Sequence, residues 1–231
     1  MSLSHRLRLG LFGALSHLPG AAGEWAAVRL IRRRRKARRA ASLAAFEAVL
    51  ARLGPGSLCL DLGANVGAVT ARMAATGAEV HAFEPDPWAH DRLAVRVGGL
   101  PSVTLHRAAV GLEAGTVHLR RAEGFDADPA TLSEGSTVMA GQGGETIAVE
   151  QIDFRAFLRG LSRPVQLVKM DIEGAELAIL EALLEAPERA LLRDVFVETH
   201  EVQFPALRPR YAALRERVAA LETPRIDLDW P

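Results

Sequence analysis

From Ser57 to the C-terminus the chain alternates short, almost wholly apolar runs with stretches of helical character, and this constrains the fold more than any other feature. Ser57–Leu62, Glu79–Phe83, Val165–Met170 and Asp194–Thr199 are continuous apolar runs of strand length. Helical stretches over Val66–Ala75, from Pro87 to about Val97, over Ala175–Leu184 and over Arg210–Leu221 fall between or after them. Strands apolar on both faces belong to a parallel sheet covered by helices on both sides. The expectation is an α/β, Rossmann-like, doubly wound and mostly parallel open sheet. Val103–His106, Thr116–Arg120 and Ile226–Trp230 read as further short strands. Such sheets bind ligands beyond the carboxyl ends of their strands. Chemistry is therefore sought after Leu60, Phe83, Met170 and Val197.

Ahead of the sheet the pattern is helical. Leu3–Leu18 and Glu24–Arg39 read as two helices broken at Pro19-Gly20, and Ser42 reads as the N-cap of a third that Gly54-Pro55-Gly56 ends. This divides the chain into a helical extension, 1–53, and a ligand-binding domain, 54–231. Residues 1–39 carry ten Lys/Arg and one acid, leaving 18 basic and 27 acidic residues in the rest, so a net charge of zero conceals a basic extension before an acidic body. The Arg run reads either as a solvated helix face or as a surface for anionic lipid headgroups or an anionic substrate. Without interleaved aromatics or a binding module, no nucleic-acid partner is expected. The apolar Leu7–Leu18 stretch is too short to span a bilayer, and the chain is placed in the cytoplasm. The Ala-rich N-terminal helix also offers a surface for a second copy, so a homo-oligomer is open. One cysteine, Cys59, excludes an internal disulfide framework and reads as a small buried hydrophobe.

The first strand delivers Asp61-Leu62-Gly63-Ala64-Asn65-Val66-Gly67 directly into a helix. Gly63 and Gly67 permit a sharp turn and close approach of a ligand, and Asn65 tolerates a left-handed backbone. The second strand ends in Glu84, 23 residues after Asp61, where a carboxylate is placed to accept ribose hydroxyls. A dinucleotide loop would need G-x-G-x-x-G, which is absent. An acid before the first glycine would repel a pyrophosphate, but it suits the sulfonium and amino group of S-adenosylmethionine.

These segments resemble the FkbM family of methyltransferases. CLDLGANVGAVT, VHAFEPDP, HRAAVG, EQIDFRAFL, LVKMDIEGAE and VFVETHE occur in the family's order over about Leu58 to Val202. The resemblance implies a class I S-adenosylmethionine fold and O-methylation of a hydroxyl on a sugar, glycolipid or secondary metabolite. It implies that Asp61, Gly63, Ala64, Asn65 and Gly67 line the methionine end of the cofactor. Glu84, with Pro85, would hold the ribose, and Ala108-Ala109 would border the adenine.

Deprotonating a hydroxyl needs a base or a cation. Asp171 and Glu173 follow the Val165–Met170 strand, and Glu198 and His200, two apart, share a face of the next. Asp171, Glu173 and His200 are the catalytic candidates, with His200 as general base. Asp171, Glu198 and His200 are the candidate ligands of a divalent cation such as Mg²⁺. Glu176 reads as an acid favoured by a helix N-terminus. Lys169 is expected to pair with an acid or to orient substrate. The Gly/Ser/Asp-rich stretch Glu123–Gly144 is a candidate lid. Two other readings remain: a nicotinamide-dependent oxidoreductase on the same sheet, and a non-catalytic scaffold working through its basic, membrane-contacting N-terminus.

Overall fold

The computed structural model describes residues 15–16, 20–128, 136–139 and 145–231. Most of the Leu3–Leu18 segment lies outside the described residues. The described chain opens with α1 (Ala21–Leu50), then runs β1 (Leu58–Leu62), α2 (Ala68–Ala74), β2 (Glu79–Phe83), α3 (Pro87–Val97) and β3 (Val103–His106). A second group follows: β4 (Ala109–Gly111), β5 (Gly115–Arg120), β6 (Thr146–Asp153) and α4 (Phe154–Gly160). The last group is β7 (Val165–Met170), α5 (Glu176–Leu184), β8 (Leu192–Val197), α6 (Arg208–Ala219) and β9 (Arg225–Asp227).

Six strands form one sheet in the order β3-β2-β1-β7-β8-β9, with every pair parallel. The expected doubly wound α/β sheet is therefore present, and its strand order reverses between β1 and β7. Ligands bind in the crevice at such a reversal. A three-stranded sheet, β4-β6-β5, was not foreseen. In it β6 pairs in parallel with β4 and antiparallel with β5.

Side chains on β1 alternate faces. Leu58, Leu60 and Leu62 enter one core layer with α5, while Cys59 enters the other with Phe46 of α1 and Met73 of α2. Cys59 is fully buried, as its apolar setting implied.

The three-helix reading of the extension needs correction. α1 is one continuous 30-residue helix that runs through the expected break near Arg39 and Ser42. Ala40 and Ala41, the strongest helix formers, fill the junction, and no Gly or Pro interrupts residues 24–53. Ser42 is buried inside the helix rather than capping one. The C-terminal part of α1 joins the core, where Phe46 meets Phe196 of β8 and Trp230 at ring-centroid distances of 5.2 and 4.5 Å. No helix among the described residues is long and apolar enough to cross a membrane.

Candidate active site

A cleft of about 620 Å³ opens above the carboxyl ends of β1, β2 and β7. Gly63, Ala64 and Asn65 border it from the β1 loop, Glu84 and Pro85 from the β2 loop, and Ala108 and Ala109 from the turn before β4. Asp171, Glu173, Glu198 and His200 border its other end. Lys169, Arg39 and Trp230 also reach it.

Asp61 and Gly67 do not line this cleft, contrary to the sequence reading. β1 extends through Leu62, so Asp61 lies within the strand and projects beneath α2 instead of leaving at the tip. It is fully buried, and its Oδ2 accepts from the Thr70 hydroxyl at 2.6 Å. Its Oδ1 stands 3.7 Å from Lys169 Nζ. Asp61 therefore anchors Lys169 from below. Lys169 in turn donates to the Gly63 carbonyl at 2.6 Å and lies 3.4 Å from Asp171 Oδ2. Burial opposes its charge, but Asp171 and Asp61 outweigh that and hold its pKa above the ordinary lysine value. One ammonium thus clips the β1 loop to the β7 loop, the acid pairing expected of it.

Both glycines are required by chain packing. Gly63 has φ +76°, and a Cβ there would sit 1.8 Å from the Asp171 carbonyl oxygen. Gly67, at φ +83°, is the N-cap of α2, and its Cβ would meet Leu93 of α3 at 2.7 Å. Asn65 adopts the left-handed backbone expected of it, with φ +47°. This turns its N–H onto Glu84 Oε2 at 2.8 Å, while the Asp86 N–H reaches Oε1 at 2.8 Å. Burial pushes the Glu84 carboxyl up to about 7, against the pull of these two N–H donors. Asp86 is fixed in its turn: it caps α3 through Trp88 N and receives a two-point contact from Arg121. Neither Asp86 nor Arg121 was singled out from the sequence. The Asp-Pro pair at a helix start was the available signal for Asp86.

At the other end the structure gathers His200, Glu173, Glu176 and Tyr211. His200 Nε2 lies 3.2 Å from Glu173 Oε2 and 3.7 Å from Asp171 Oδ1. Its Nδ1 faces Glu176 Oε1 at 3.0 Å. Burial works against a charge on His200, but the hydrogen bonds it donates to Glu173 and Glu176 override it and push its pKa up to about 10. An imidazolium held between carboxylates has no free lone pair with which to accept a proton. Glu173 stands in a left-handed backbone, φ +53°, and burial raises its carboxyl above the usual range against the pull of His200.

Glu176 is more than a helix-terminus acid. It is fully buried and receives the Gly174 N–H, the His200 N–H and the Tyr211 hydroxyl, the last at 2.6 Å. Tyr211, the chain's single tyrosine, was missed. Its i, i+3, i+7 spacing with Leu214 and Val218 on an otherwise polar helix was the signal available.

Asp171, Glu198 and His200 each offer one ligand atom, mutually within 4.8 Å, as a cation site requires. Two of the three are engaged by other groups, however: Arg35 of α1 pairs with Glu198, and His200 Nε2 faces Glu173. A metal ligand must be a deprotonated imidazole, so a divalent cation at this site would compete with Arg35 and with the proton on His200. The candidate lid is described only in part, and 129–135 and 140–144 lie outside the described residues. Thr137, within it, pairs with Arg120 of β5 and donates its hydroxyl to the Glu173 carbonyl at 2.5 Å.

A parallel sheet in this strand order, with a carboxylate-lined cleft at its reversal point, is a Rossmann-like doubly wound fold. The Methyltransferase FkbM domain matches residues 61–221, and the chain belongs to that family of methyltransferases. A search of curated proteins finds no match.

Proposed function

We propose that the protein is an S-adenosylmethionine-dependent O-methyltransferase whose acceptor is a hydroxyl of a sugar, glycolipid or secondary metabolite. The observation that carries this reading is one cleft with a pre-set carboxylate at each end, Glu84 at one and Asp171 with Glu173 at the other. The first end suits a nucleoside. Each Glu84 oxygen is aimed by a backbone N–H and keeps lone pairs for ribose hydroxyls, while Phe83, Ala108 and Ala109 supply an apolar wall. Beyond them, Gly63 and Asn65 border the stretch where the methionine moiety would lie. When bound, S-adenosylmethionine supplies an electrophilic methyl group on a cationic sulfur.

The second end suits proton removal. Glu173, its basicity raised by burial, takes the hydroxyl proton onto its carboxylate. Asp171 Oδ1, buried and without a hydrogen-bond partner among the described residues, accepts from the same acceptor molecule. His200 is thereby a positioning cation rather than the base: it holds Glu173, and Glu176 and Tyr211 hold it. A positioned base contributes about 10²- to 10⁴-fold to the rate.

Calorimetry with S-adenosylmethionine and its demethylated product tests the first half, and transfer of a labelled methyl group to a hydroxyl panel tests the second. Glu173→Gln is expected to lower kcat by at least about 10²-fold with cofactor affinity unchanged. Absence of binding by either nucleoside, or thermal stabilisation by NAD(H) instead, removes the proposal.

A further inference from the structure

Between Trp25 and Phe46, α1 carries eight cations and no acid. At 100° per residue, Trp25, Arg29, Arg32, Lys36 and Arg39 fall within a sector of about 80° and extend for about 21 Å along the helix. All five are exposed. Trp25 is 52% exposed, with the Arg29 guanidinium 5.2 Å from its ring. Cations on other faces are used by the body: Arg35 pairs with Glu198 and Arg38 with Asp229. Among the described residues no acid pairs with Arg32, Lys36 or Arg39. A solvated, self-compensating helix face interleaves both signs of charge. This stripe does not.

The stripe also has a direction. Its last member, Arg39, borders the cleft, and one helical turn further on Leu43 and Phe46 pack into the sheet's core. The helix thus presents its row of cations as a continuation of the rim of the cleft. An indole at the outer end, four cations along one line and the cleft mouth at the inner end match an anionic phospholipid surface, where basic side chains meet headgroups and Trp sits at the interface.

We infer that this face of α1 docks the protein on an anionic membrane and turns the cleft mouth toward it, so that the methyl acceptor is a membrane-borne molecule. The docking stands on the stripe alone; the acceptor class rests on the methyltransferase reading above.

Co-sedimentation with phosphatidylcholine vesicles, with and without about one-third phosphatidylserine, tests the docking. Arg29→Gln/Arg32→Gln/Lys36→Gln leaves every residue of the cleft in place. Each removed charge weakens partition about fivefold, so the triple variant is expected to bind the anionic vesicles on the order of a hundredfold more weakly. Wild-type binding falls steeply with salt, and Trp25 emission shifts to the blue on binding, a shift lost in Trp25→Phe. Equal binding to neutral and anionic vesicles, an unchanged partition in the triple variant, or tighter binding to duplex DNA than to vesicles overturns the inference. Calorimetry with S-adenosylmethionine on the same two proteins separates the failures. Lost vesicle binding with intact cofactor binding supports the docking, whereas absent cofactor binding in both proteins counts against the enzymatic reading and leaves the vesicle result to decide the docking.

Discussion

Replacing Glu84 by Gln gives a quantitative check on how the cleft is built. Glu84 is 7% exposed, and burial is the main cause lifting its carboxyl from an ordinary 4.5 to about 7. Between those values the folded protein holds a proton that the unfolded chain has released. Stability is therefore full below pH about 4.5, declines by about 1.4 kcal/mol per pH unit, and levels off above pH about 7. The accumulated loss is about 3 kcal/mol. Glu84→Gln abolishes the slope. It adds a separate cost of about 1–3 kcal/mol that does not vary with pH, because an amide cannot accept from both Asn65 N–H and Asp86 N–H.

Urea denaturation of both proteins at several pH values between about 4.5 and 8 isolates the titration. The difference in unfolding free energy is expected to move about 3 kcal/mol in favour of the variant across that range. A difference that stays flat refutes the claim that a buried, reluctantly ionised carboxylate sits at the tip of β2. A ligand whose hydroxyls donate to Glu84 favours its ionised form, so binding near pH 7 releases about half a proton. Calorimetry in buffers of different protonation enthalpy reads that release, and it disappears in Glu84→Gln.

Gly63→Ala places a Cβ 1.8 Å from a backbone oxygen at φ +76°. It is expected to cost more than about 3 kcal/mol, whereas Gly56→Ala, at φ +91° with open space around it, costs about 1 kcal/mol. Thermal unfolding compares them, and equal shifts would mean that Gly63 is not the contact point of the two loops. Tyr211→Phe keeps the shape of a fully buried ring but removes the donor to Glu176. A loss of about 1.5–3 kcal/mol in denaturant unfolding is expected, and an unchanged midpoint contradicts the network. Chelation by EDTA is expected to leave methyl transfer intact, because a divalent cation would compete with Arg35 and with the proton on His200; inhibition reversed by Mg²⁺ would show otherwise.

The sheet was legible in the sequence because strands covered on both faces are written as uninterrupted apolar runs, as in Val165–Met170. β6 was not, because Thr146–Asp153 is exposed along much of one face and mixes Glu, Gln and Thr with its apolar residues. Asn65 and Glu84 could be placed because their roles depend on local chain geometry at the tips of neighbouring strands. Asp61 was misplaced because the strand's end, correctly read at Leu62, does not say which face the side chain takes. Two positions on from Cys59, Asp61 shares that residue's face, in the layer beneath α2 rather than in the cleft.

Dependence on tertiary context also underlies the proposed reassignment of the base. His200 invites the role of base when only its residue type and strand are known, since imidazole is the usual proton acceptor near neutral pH. Its behaviour depends on Glu173 from the β7 loop and on Glu176 of α5, which is 24 positions from His200 in the chain and is itself held by Tyr211, 35 positions further on. With Glu176 on one nitrogen and Glu173 on the other, the ring behaves as a fixed cation. In the proposed function the proton-accepting role therefore falls to the carboxylate it steadies. Glu173 suits that role for the same reason that Glu84 suits ribose: both are carboxylates whose ionisation burial resists, held in place by donors from the chain itself.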